Sequence, residues 1–381
     1  MKKHTALLGL ALLLFTWSCQ KESLTPTLET SDDSQFLKFE TIEDLEAFED
    51  MLDNPASAIS RSTHWCGKQV HVEGGSKNAL QDAIDEAGYY GLVVLEKGEH
   101  YVDGTILLDE PVYILGRKGA KIISDTKLIE EVGVVQPLFH IDDTKRVTIW
   151  GVEIEAKESG GGTGVLVENS TNSVIAKCTM NNFQVGIILE HGNNTKIWKN
   201  NVSTTPRALL GEITAAYGIV VINGDNAKIV KNKITNAIFG IWACDKNGFA
   251  KQNETYGNFI GLILCNVPTN SIPLQSGLTG SEVPGTNWSV RNNHSHDNFT
   301  TGYLVIDGAN NNQLFDNQGG NNGTYDIELA GDSERFGFLT PRSFENTVNA
   351  GSFEDIIIKD CGDDNFVGGG VQIDINIDPC F

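Results

Sequence analysis

From Ala216 to Gly240 the chain alternates short apolar runs with polar turns: AYGIVVINGDNAKIVKNKITNAIFG. Gly218 opens an apolar run, Ile219 to Ile222, and a polar turn covers Asn223 to Ala227. Brief strands follow around Ile229 and Ile234, with a turn at Asn232 between them. Gly240 then starts the pattern again. Three strands and three turns therefore fit into about 22 residues. The same phrase recurs as TGVLVEN at Thr163, VGIILEHG at Val185, FGIWACD at Phe239, IGLILCN at Ile260 and TGYLVIDG at Thr301. Its glycines are Gly164, Gly186, Gly218, Gly240, Gly261 and Gly302, spaced by 22, 32, 22, 21 and 41 residues. A second column, Asn200, Asn232, Asn253, Asn293 and Asn317, is spaced by 32, 21, 40 and 24. Two independent columns lengthen at the same places, so the period is real and the extra residues are loops.

A fixed period of this size predicts a solenoid, because one coil cannot bury its own apolar face. Stacked coils give parallel strands about 4.8 Å apart around a continuous core. An asparagine at the same turn of each coil can bond its amide to the coils above and below, which satisfies groups that are costly to bury unpaired. Upstream, Phe39 to Leu52 has helical spacing (Ile42, Leu45, Phe48, Met51, Leu52) and an acidic polar face, read as solvated. Asn78 to Ala87 predicts a second helix, with Asn78 and Gln81 fitting a capping box. Strands Leu138–Ile141 and Val147–Ile154 are expected to start the regular coils. Asp355 to Lys359 and Val371 to Ile377 read as strands that close the C-terminal end.

These coils resemble the right-handed parallel β-helix of the pectate lyase superfamily, in particular its NosD-like repeat branch, over roughly Asn78 to the C-terminus. The resemblance implies an all-β fold of about ten coils whose N-terminal end is plugged by the Asn78 helix. It is specific for fold and not for activity, since such folds host lyases, hydrolases, epimerases and non-catalytic adhesins. It also implies that the asparagine turn joins the second and third strands, so that the glycine strands form the first sheet.

Composition narrows the partners. The 381 residues carry a formal charge of −22, which excludes nucleic acid. A polyanionic glycan would be repelled unless calcium mediates or a basic patch is local; no such patch shows in the sequence. No cofactor is implied with certainty, and calcium is the ion to consider; the metal ligands stay unknown. Residues 1–18 read as a signal peptide: Lys2 and Lys3 precede an apolar run, Thr5 to Phe15, too short to span a bilayer. Ser18-Cys19 resembles a bacterial lipoprotein cleavage site, and Gln20-Lys21-Glu22-Ser23 resembles the export signal of Bacteroidetes surface lipoproteins. The implied protein is lipidated at Cys19 and held at the cell surface by that anchor alone; ordinary periplasmic secretion is the alternative. Residues 19–38 read as a flexible tether, 39–77 as a helix and lead-in, and 78–381 as the β-helix. Among the cysteines, Cys361 and Cys380 are expected to pair. Cys244 and Cys265 stack on adjacent coils and could bond, but two small apolar side chains in a column is the preferred reading.

Two long insertions, Thr204 to Ala215 and Val267 to Asn287, flank the first sheet and suggest a cleft there. If residues one and three after each glycine face inward, those two and four after it face out. Those outward columns are Leu166, Ile188, Val220, Trp242, Ile263, Leu304 and Glu168, Glu190, Ile222, Cys244, Cys265, Ile306. The floor is therefore largely apolar. Glu168 and Glu190 stack one coil apart, His191 adjoins them and Arg207 lies within reach. Two close carboxylates disfavour joint ionisation, and such a separation suits a retaining glycosidase. Trp242 reads as a sugar-stacking platform, with Asp245 and Asp307 on a polar belt beside it. His294, His296 and Asp297 have metal-ligand spacing on the third strand. No complete catalytic set appears: a polysaccharide lyase would need a basic residue, and the outward columns hold none. The expected function is binding or processing of polysaccharide alongside outer-membrane glycan-uptake proteins, with a lyase or glycoside hydrolase as the enzymatic form. The alternative is a structural or adhesion scaffold that uses the apolar first sheet as an interface.

Overall fold

The computed structural model describes residues 38–53, 67–125, 134–206, 216–266, 284–335, 338–351, 355–369 and 371–372, together with the short strands Leu128–Ile129, Ala208–Leu209 and Glu212–Ile213. The chain winds through three long parallel sheets of 11, 12 and 9 strands. One full coil runs Thr163–Glu168 in sheet 1, Val174–Ala176 in sheet 2 and Thr179–Phe183 in sheet 3, before returning to sheet 1 at Val185–Glu190. Every pairing between coils in these sheets is parallel, as a β-helix requires. The first rung lies earlier than expected. Gln69–Val72 already pairs in parallel with Gly91–Leu95, so part of the supposed lead-in belongs to the solenoid.

The core is the inner face of all three sheets. Val165, Val167, Ile187, Leu189, Ile219, Val221 and Ile241 from sheet 1 are fully buried in it. The glycine column has a steric cause. A Cβ at Gly164, Gly186, Gly218, Gly240, Gly261 or Gly302 would lie 2.3–2.7 Å from a carbonyl oxygen of the next coil. The asparagine column forms a continuous ladder between sheets 2 and 3. Asn200 N–H donates to Asn232 Oδ1, Asn232 N–H to Asn253 Oδ1 and Asn253 N–H to Asn293 Oδ1, each at 2.9 Å. Cys178 takes the first place in this column: its N–H donates to Asn200 Oδ1 and its thiol is free and buried. Burial pushes that thiol up to about 11. Two more ladders, Asn258–Asn298–Asn322 and Asn312–Asn346–Asn365, support later turns.

Helix Ala79–Ala87 plugs the N-terminal end, burying Leu80, Ala83, Ile84 and Ala87 in the core. The expected capping box does not form. Asn78 adopts a left-handed conformation, its Oδ1 accepts from Asp103 N–H, and Gln81 bonds Leu107 through both amide atoms. The two side chains fasten the plug to the first coil instead. Helix Ile42–Asp53 lies on the outer face of sheet 2, burying Leu45 and Phe48 against Trp150 and Trp198. Its acidic face is not merely solvated. Glu49 pairs with Lys177 and Lys199, and Glu46 with Lys231, three lysines at the same turn of successive coils. At the C-terminal end, Val371–Gln372 pairs with Ile357 and Ile358; the rest of the strand expected to Ile377 lies outside the described residues.

Candidate functional site

Four long connections interrupt the coils, and all of them flank sheet 1. Two enter it, between Ser124 and Pro137 and between Thr204 and Tyr217. Two leave it, after Leu264 and after Leu329. Three carry small antiparallel hairpins. The turns from sheet 2 to sheet 3 carry no insertion, since the asparagine ladder needs identical geometry in each coil.

The outer face of sheet 1 divides in two. Over its middle coils, from Ile188 to Ile306, it is a second hydrophobic core. Val220, Ile222, Trp242, Cys244, Ile263, Cys265, Leu304 and Ile306 are at most 3% exposed. The indole of Trp242 packs against Tyr217 and Phe239, with centroids 4.9 and 5.2 Å away, and its N–H donates to the Cys265 sulfur. It offers no open face to a sugar. Asp245 is fully buried and Asp307 nearly so, so neither forms an accessible belt. Cys244 and Cys265 form a disulfide across adjacent coils, with Cα atoms 5.0 Å apart, where two unbonded apolar side chains were expected. Parallel stacking in register had already brought them within bonding reach.

The first coils of sheet 1 are polar and accessible. Asp142, Glu168 and Glu190 stand in register on neighbouring strands. Two residues earlier on the same face, His140 pairs with Leu166 and Leu107, and Leu107 is 41% exposed. His140 Nε2 lies 2.9 Å from Glu168 Oε2. Ligand atoms of His140, Asp142 and Glu168 all fall within 4.8 Å of one another, and all three residues are half-buried. Glu190 is more enclosed. His191 occupies a left-handed turn, φ 53°, as Asn169 and Asn223 do in other coils; its place in the chain is that of a turn residue. Arg207, Cys19 and Cys380 lie outside the described residues. Cys361 is disulfide-bonded. The rings of His294 and His296 lie 4.1 Å apart, tilted, on sheet 3, but His296 turns to Glu254 and Asp297. Among the described residues, the one group with three converging metal-type ligands is that of His140.

His140 and Asp142 are absent from the sequence-derived site. Leu138 stands where the other coils have glycine, so the sequence pattern starts one coil late. The visible signal was the alternation of His140 and Asp142 in front of the Glu168 strand.

Residues 94–274 match the family model described as "Periplasmic copper-binding protein (NosD)". The fold is a parallel β-helix, and the matched stretch, just under half of the chain, is similar to NosD repeats. No curated protein matches it in sequence. Similar solved structures include the Dettilon tailspike protein (gp208), at 14% identity and TM-score 0.46, covering 79% of this chain and 66% of that one. The Azotobacter vinelandii mannuronan C-5 epimerase AlgE4 A-module is similar at 16% identity and TM-score 0.46, covering 78% and 92%. PfbA, a surface adhesin of Streptococcus pneumoniae, is similar at 14% and 0.47, covering 78% and 89%. The matched stretch takes in the accessible end of sheet 1 and its covered strands as far as Ile260–Leu264. One imidazole and two carboxylates without sulfur suit a hard divalent ion better than Cu(I).

Proposed function

We propose that this is an exported β-helix protein of the cell envelope that binds polysaccharide at the first coils of sheet 1. His140, Asp142 and Glu168 form the contact set, and Glu190 and His191 flank it. The observation that carries this reading is the convergence of three ligating side chains on the accessible stretch of a face that is otherwise a core. Charged acceptors in a half-buried setting bind sugar hydroxyls better than fully solvated ones do. The same three side chains would hold a divalent cation such as calcium, which would let an acidic protein accept an anionic glycan. Export is supported by the Met1–Cys19 segment and by the periplasmic description of the family whose model matches. Lipidation at Cys19, exposure on the outer membrane and work beside glycan-uptake proteins complete the reading. Among the described residues no helix is long and apolar enough to cross a membrane.

Binding is favoured over cleavage, because His140 engages Glu168 and the described lysine on the outer face of sheet 1, Lys359, stands in the last coils beside Glu328 and away from this cluster. Burial of the apolar part of sheet 1 within the chain itself removes the interface on which a scaffold role would rest. The test is affinity electrophoresis of the full-length chain through neutral and acidic polysaccharides, with and without calcium, beside reducing-end and unsaturated-product assays. Retention that Glu168→Gln weakens about tenfold or more, with an unchanged circular dichroism spectrum, is the expected result. Turnover abolished by Glu190→Ala would make the site a hydrolase instead. Neither retention nor turnover on any polymer would overturn the proposal.

A further inference from the structure

Sheet 2 carries a site of opposite character. A cavity of about 320 Å³ lies between its outer face and the segment that leads into helix Ile42–Asp53. Lys196 and Lys228, adjacent in register, line it together with Arg146 and Lys38; Glu40 is the sole acid on its wall. In a chain of net charge −22, four cations around one cavity is a local inversion. The basic patch that the sequence conceals is assembled here, from residues up to 190 positions apart in the chain (38 to 228).

Lys196 is the anomaly. It is 1% exposed, and Nζ has one hydrogen bond, a long one of 3.3 Å to the Asn194 carbonyl. No carboxylate among the described residues comes within ion-pair distance of it. Asp44 is already committed to the start of the helix, where its carboxylate accepts from Glu40 N–H at 2.9 Å and Thr41 N–H at 2.7 Å. Lys228 likewise reaches only a carbonyl, that of Glu40, at 3.4 Å. Two stacked lysines, one of them buried, are costly without an anion between them. The rest of the wall is uncharged and hydrogen-bonding: Thr148 and the stacked Asn172, Asn194 and Asn226. The volume falls at the small end of ligand pockets and exceeds what a bare oxyanion fills.

We propose that this cavity binds a small hydroxylated carboxylate of sugar-acid type, its carboxylate on Lys196 and Lys228 and its hydroxyls on Thr148 and the asparagine row. Arginine and the two lysines supply charge, and the amides supply orientation. The proposal stands apart from the sheet 1 reading, because no residue is shared.

Binding should depend on pH. Burial, helped by Lys228, brings the Lys196 ammonium down to about 8. The groups facing it are Lys228 and Thr148 on the sheet, Arg146 and Asn194 at the turn, and Lys38, Glu40 and Asp44 on the helix segment. Tyr113, whose phenol burial pushes upward, stays neutral. The anion takes the charged amine, so affinity holds below about pH 7 and falls as the pH passes 8. The experiment is calorimetric titration of the full-length chain with glucuronate and galacturonate, with glucose and inorganic phosphate as controls. One sugar acid should bind, glucose should not, and binding should weaken roughly tenfold or more by pH 9.5. Lys196→Met should cost about tenfold or more, while Glu168→Gln leaves this binding unchanged. No heat with either sugar acid on a folded chain would overturn the proposal. So would phosphate binding as tightly as the sugar acid, or full affinity in Lys196→Met.

Discussion

The first coils and the middle coils of sheet 1 share one backbone geometry and differ in almost everything else. Leu166 and Glu168 at the start are half-buried, whereas Trp242 and Cys244, at the same places two coils after Glu190, are 3% and 0% exposed. The strands, the glycine column and the register run straight through both. The solenoid therefore decides where side chains point, and the side chains decide which stretch becomes a second core and which stays open to ligands. A repeat fold can place a polar site anywhere along its length by changing two residues per coil.

If the covered stretch is a true core, breaking it should cost as much as breaking the inner one. Trp242→Ala removes a buried indole held by Tyr217, Phe239 and the Cys265 sulfur. We expect a loss of about 3–5 kcal/mol in urea unfolding. At the open end, Leu107→Ala should cost under about 1 kcal/mol, since that side chain is already 41% exposed. Equal losses at the two positions would erase the distinction. The disulfide should come next. Cys244 and Cys265 are 21 residues apart, and closing a loop of that size contributes about 3 kcal/mol in the unfolded-chain account. The Cys244→Ala/Cys265→Ala pair should lower the denaturation midpoint accordingly, and reduction of the wild type should match it. A midpoint that ignores reductant would mean that packing alone supports this column.

Much of this was legible in the sequence, and the reason is steric. Gly218 and Asn232 recur because the next coil's carbonyl excludes a Cβ at one turn and an unpaired backbone amide needs a partner at the other. Glu168 and Glu190 were legible as neighbours because they keep a fixed distance from those glycines. His140 and Asp142 were hidden, since Leu138 replaces the marker residue. The burial of Trp242 was hidden too. Alternation separates inward from outward positions, but it is silent on what a long insertion lies over. The cavity around Lys196 depends on Lys38 to Glu40 folding back across sheet 2, a contact that no local pattern announces.

Asp245 gives the finest test of how far the buried character of these middle coils extends. It stands at the end of the Trp242 strand, fully buried, with neither carboxylate oxygen bonded; the Trp288 indole N–H goes instead to its backbone carbonyl at 3.1 Å. Burial raises its carboxyl well above the ordinary aspartate range. The folded chain therefore keeps a proton that the unfolded chain releases near pH 4. Stability from this group is full below that pH and is lost as the pH climbs towards the folded value. Other coils carry asparagine at the same place, Asn223 and Asn266 among them. Asp245→Asn, which has no proton to lose, should match the wild type at pH 3.5. It should gain on it by about 1–2 kcal/mol at pH 7.5, read from melting temperatures across that range. A gain that does not grow with pH would mean that the carboxylate is charged and held by a cation. The covered half of sheet 1 would then have a polar centre of its own, and the contrast with the open half would be one of access rather than of chemistry.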